Sequence, residues 1–88
     1  MSKADKMLYD NHFIEIEKDD KRHIKYLNIN YTHKEVIIYI DLKDRTITKY
    51  SNNEWIPNDV PFTVNELNAL NEKMNELGWF DDWHNALL

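Results

Sequence analysis

With 88 residues the chain has room for one domain, residues 1–88, and none for two. Its 42% hydrophobic content excludes a disordered chain, and its 31% charged content excludes a membrane protein. The formal charge of −5, with only two arginines and scattered lysines, tells against direct nucleic-acid binding, which needs a clustered basic patch.

In chain order, Ser2 followed by Asp5 is an N-terminal capping signal and predicts a short helix over Lys3 to Asp10. Ala4, Met7 and Leu8 share its apolar face, and Asn11 is expected to take the left-handed position that ends it. From His12 to Tyr50 the period changes to two. Phe13–Glu17, His23–Tyr31, Glu35–Asp41 and Thr46–Tyr50 read as strands divided by short polar turns. Turns this short require antiparallel neighbours, which gives a four-stranded meander. The β-branched density of Glu35–Asp41 marks a central strand buried largely on both sides. Ser51 to Val60 is an irregular connection whose Trp55-Ile56 pair is expected to tuck onto the sheet or add a short fifth strand.

Pro61 to Leu67 carries the clearest local signal. Thr63 caps, Glu66 completes the capping box, and Phe62 with Leu67 forms a hydrophobic staple. The helix that follows is expected to bury Leu67, Leu70, Met74 and Leu77, with Asn65, Asn68, Glu72 and Glu76 facing away. Gly78, the single glycine, falls where the helix needs a left-handed residue, and Trp79 where the accompanying apolar contact belongs. Trp79 to Leu88 reads as a short terminal helix with an aromatic side. The predicted fold is α+β: N-terminal helix, four-stranded antiparallel meander, C-terminal helix on one sheet face, terminal aromatic helix.

Catalytic chemistry finds little support. The chain has no cysteine, so it has no thiol nucleophile, thiolate metal site or disulfide. His12, His23, His33 and His84 form no paired metal-ligand spacing, and Asp81-Asp82-x-His84 lacks further nearby ligands. One glycine cannot build a phosphate-binding loop, and Ser2 and Ser51 have no nucleophile-elbow context. The expectation is a protein without enzymatic activity, cofactor or metal. No apolar run reaches the 7–15 residues of a signal peptide or the 20 of a membrane span, so the expected compartment is cytoplasmic.

The aromatic cluster Trp79, Phe80 and Trp83, joined by Leu87 and by Trp55, is the one feature with a functional reading. Tryptophan is enriched at binding hot spots, yet a small domain also closes its core with large aromatics. Both readings stay open. As an interface, the cluster would have an acidic rim of Glu76, Asp81 and Asp82 suited to a basic partner.

The opening Ser2-Lys3-Ala4-Asp5-Lys6-Met7, the hairpins after it and the closing Leu67-x-x-Leu70-Asn71-Glu72-Lys73-Met74-x-Glu76-Leu77-Gly78-Trp79 resemble small uncharacterised proteins of phages and prophages of low-GC Gram-positive bacteria. The abundance of asparagine (11), isoleucine (9) and lysine (9) agrees with A/T-rich codons. The chain departs from that pattern near Asn11, where glycine is usual, and in its longer tail after Trp79. The resemblance implies a small accessory product and no activity. The leading expectation is a module that binds a host or phage protein. Its alternatives are a homodimeric structural or assembly protein, paired by the meander edge or the aromatic tail, and an acidic nucleic-acid mimic.

Overall fold

The computed structural model describes residues 1–30, 35–52 and 58–80. Among these residues, two helices and five strands follow in order: α1 (Lys3–Asp10), β1 (Phe13–Asp19), β2 (His23–Asn28), β3 (Glu35–Asp41), β4 (Thr46–Asn52), β5 (Asn58–Asp59) and α2 (Val64–Glu76). The strands form one antiparallel sheet in the order β1-β2-β3-β4-β5. This is the expected α+β meander, lengthened by a two-residue fifth strand.

Both helices lie on one face of the sheet. Phe13, Ile24, Tyr26, Val36, Ile38 and Ile40 point inward and join Leu8 of α1 with Ala69 and Leu70 of α2 in a single core. Burying each of the larger side chains contributes roughly 1.5–3 kcal/mol, the main favourable term in so small a domain. On β3, Val36, Ile37, Ile38 and Ile40 are all buried, as the central-strand reading requires.

Local chemistry sets the boundaries. Ser2 Oγ accepts the Asp5 amide at 3.1 Å and starts α1. At the other end the structure corrects the sequence reading. Asn11 keeps a negative φ of −96° and its side-chain amide donates to the Met7 carbonyl at 2.9 Å. The left-handed residue is His12, at φ 70°. Asparagine serves better as a side-chain cap of the last turn than as the strained residue after it. β2 stops at Asn28, short of Tyr31, because Asn28 Oδ1 accepts the Asn30 amide and turns the chain. Asp41 Oδ1 receives the amides of Lys43 and Asp44, both at 2.9 Å, and Arg45 at φ 56° completes that hairpin turn. The Thr63–Glu66 capping box is complete, and Gly78 takes φ 77° just beyond α2.

The core face of α2 also differs from the helical-period reading. The residues buried on α2 are Glu66, Ala69, Leu70 and Lys73, while Leu67 is 51% exposed. Two charged residues face inward in place of two apolar ones. The loop around Trp55 and the tail from residue 81 onward, including most of the expected terminal helix, lie outside the described residues.

Candidate functional site

Two ion-pair joints account for the rotation of α2. Alternation in β4 puts Ile47, Lys49 and Ser51 on the inner face, so Lys49 enters the core opposite Ile38. Its Nζ donates to Glu66 Oε1 at 2.6 Å and to the Pro61 carbonyl at 3.1 Å, and sits 5.7 Å from the centre of the Phe13 ring. Glu66 Oε1 also accepts the Thr63 amide at 3.3 Å. One carboxylate therefore caps α2 and ties its first turn to the sheet.

The second joint lies near the C-terminal end of α2. Lys73 Nζ is 3.1 Å from Asp5 Oδ1 and 3.6 Å from Glu76 Oε2. Tyr26 Oη donates to the same Asp5 oxygen at 2.7 Å, and Glu76 Oε1 accepts the Ala4 amide of α1 at 2.9 Å. Burial of Asp5 opposes its ionisation, but the hydrogen bonds from Tyr26 and Lys73 and the Lys73 charge outweigh it and lower the pKa. Desolvation and the Asp5 hydrogen bond push the Tyr26 phenol far upward, so it remains a donor.

With Glu66 and Lys73 turned inward, the apolar stripe of α2 is divided between core and surface. Leu67, Leu70 and Met74 line the wall of a groove of about 280 Å³, completed by Arg45, Ile47, Phe62 and Trp79. Phe62, immediately ahead of the Thr63 cap, is partly buried against the core. Trp79 is placed by the left-handed turn at Gly78 and packs partly against the core. Phe80 follows Trp79 with 38% of its surface exposed, and Val64 stands exposed one helical turn before Leu67.

Of the residues singled out from sequence, Trp79 lines this groove and Phe80 is exposed next to Trp79 in the chain. Trp55, Trp83 and Leu87 lie outside the described residues, as do Asp81 and Asp82. Glu76, expected on an acidic rim, is instead engaged by Lys73 and the start of α1. The sequence reading missed Leu67, Met74, Phe62 and Ile47 as surface-lining residues. The available signal was the inward position of Lys49 in the β4 alternation, which calls for an acidic partner from the helix above.

A larger depression of about 370 Å³ is lined by Met1, Asp5, Tyr9, Phe13, Ile14, Glu15 and Tyr26. Phe13 and Tyr26 are fully buried in the core, and Asp5 is already paired, so its lining offers a ligand little. The smaller groove is the more apolar and holds the exposed leucine. Comparison of the chain with protein-family models, curated proteins and solved structures finds no match. No helix among the described residues is long and apolar enough to cross a membrane.

Proposed function

We propose that this protein is a non-catalytic, cytoplasmic protein-binding module of phage or prophage type, which contacts a host or phage protein through the groove between α2 and β4. The observation that carries the reading is Leu67, 51% exposed on a helix whose neighbouring positions hold buried charges. At about 280 Å³ the groove is smaller than most small-molecule sites, and it suits one large apolar side chain of a partner segment. Trp79 at its end supplies the aromatic anchor typical of binding hot spots. The phage or prophage element of the proposal rests on the sequence resemblance alone. Glu66, Asp5 and Glu76 are held in ion pairs that join the elements of the fold, so these three carboxylates are not offered to a basic partner.

Paired affinity captures from a low-GC Gram-positive lysate, one with the wild type and one with Leu67→Asp, test the site. Leu67 is exposed, so circular dichroism of the variant should match the wild type. A stoichiometric partner lost on Leu67→Asp supports the groove. A partner held equally by both proteins removes the groove from the proposal.

A further inference from the structure

The groove between α2 and β4 has an open wall at Leu67, 51% exposed, while Leu70 in the same wall is buried. Among the described residues that line it, Arg45 is the single charged one. The left-handed turn at Gly78, φ 77°, carries Trp79 into the groove, and the backbone is helical again at Trp79 and Phe80. The chain then continues as Asp81-Asp82-Trp83-His84-Asn85-Ala86-Leu87-Leu88, outside the described residues.

We propose, resting on the groove as the binding surface, that residues 81–88 regulate it: Trp83 fills the groove in the free protein, and a partner must displace it. Reach allows this. Trp83 stands four residues past Trp79, a span of about 6 Å as helix and at most about 14 Å extended. Its ring can therefore meet Leu67 across a groove of about 280 Å³ that Trp79 already lines. On a helix continued from Trp79 and Phe80, Trp83 and Leu87 would follow Trp79 at intervals of four, on the side that Trp79 turns to the groove.

The chemistry of the segment matches the groove. The groove takes one large apolar side chain, and the segment supplies one tryptophan. Asp81 and Asp82 lie between Trp79 and Trp83 in sequence, so turning Trp83 inward brings two carboxylates to a groove whose one charged wall residue is Arg45. Tethering favours this occupant over a free one, because a segment on a short link acts at an effective concentration in the millimolar range. A groove open for about a tenth of the time lowers the apparent affinity of any partner about tenfold.

Nuclear Overhauser spectroscopy of the isotope-labelled full chain reads the contact without any substitution. Cross-peaks from the Trp83 ring protons to the methyl groups of Leu67 and Met74 are expected. Trp83→Ala, folded by circular dichroism, should bind an anilinonaphthalene sulfonate dye about tenfold more tightly than the wild type. Adding Leu67→Asp should reverse that gain. Absence of the cross-peaks overturns the proposal, even where Leu67→Asp loses the lysate partner and the groove itself stands. Dye binding that folded Trp83→Ala leaves unchanged overturns it too. So do cross-peaks found only between differently labelled copies in a mixed sample, since the occupant is then a second chain. If the cross-peaks appear and Trp83→Ala opens the groove, but the lysate partner does not depend on Leu67, the place of the segment is supported and the partner-binding reading alone fails.

Discussion

The two ends of α2 are fixed by different kinds of charge. At its N-terminal end Lys49 and Glu66 are enclosed, with 7% and 8% of their side chains exposed, and they join helix to sheet. Near its C-terminal end Lys73 is equally enclosed, but its partners Asp5 and Glu76 each keep 27% of their side chains exposed, and they join helix to helix. The contrast separates the cost of losing a partner in a closed site from the cost in a site that water reaches. An unpaired buried charge must be desolvated with nothing in return, whereas a part-exposed carboxylate regains solvation.

The largest expected effect belongs to the closed joint. Lys49→Met leaves Glu66 buried beside methyl and ring groups, and should cost about 3–5 kcal/mol, measured by urea denaturation near neutral pH. That is a large share of the roughly 5–15 kcal/mol by which a small domain is stable. Adding Glu66→Gln should recover most of the loss, since the amide oxygen can still accept the Thr63 amide and no charge remains. If the double variant is as unstable as the single one, the pair stabilises through its shape and hydrogen bonds, and the contrast between the two ends dissolves.

These joints also mark the limit of what the sequence made legible. Caps and periods are local, so Ser2, Thr63, Glu66 and Gly78 took the expected places and the meander was correct. The orientation of α2 was not local. The helical period pointed to Leu67 as core, but Lys49 sits 17 residues before Glu66 and Asp5 sits 68 before Lys73. Helical spacing scores each charged residue as outward-facing, and only the pairing across the fold reverses that. The groove followed from the reversal, so it was invisible for the same reason, although Trp79 at its end was found through its position after Gly78.

A smaller effect is expected at the open joint. Asp5→Asn keeps an acceptor for Tyr26 but removes the charge facing Lys73, and should cost about 1–2 kcal/mol at neutral pH, solvent exposure tempering the loss. Its pH dependence carries the sign of a lowered carboxyl pKa. The contribution is whole above the unfolded carboxylate value of about 3.9 and fades as pH falls through the lower folded value. Stability curves of wild type and Asp5→Asn should therefore run apart at neutral pH and converge below about pH 4. Curves that stay parallel into acid would show that Asp5 acts there as a hydrogen-bond acceptor and not as a charge.

The smallest predicted change is a gain, and it tests whether the two ends act independently. His12 holds φ 70° directly after α1, a conformation that disfavours a side chain and that glycine adopts freely. His12→Gly should stabilise the domain by about 0.5–1 kcal/mol, the relief of strain exceeding the entropy added to the unfolded chain. Since His12 is exposed and follows the helix that carries Asp5, the gain belongs to the α1 side of the molecule. It shares no partner with Lys49 or Glu66, so it should add to the effect of Lys49→Met within about 0.5 kcal/mol. A gain that vanishes in the Lys49→Met background would mean that α1 loses its seat once the first turn of α2 is released. The two joints would then form one cooperative unit spanning the helix.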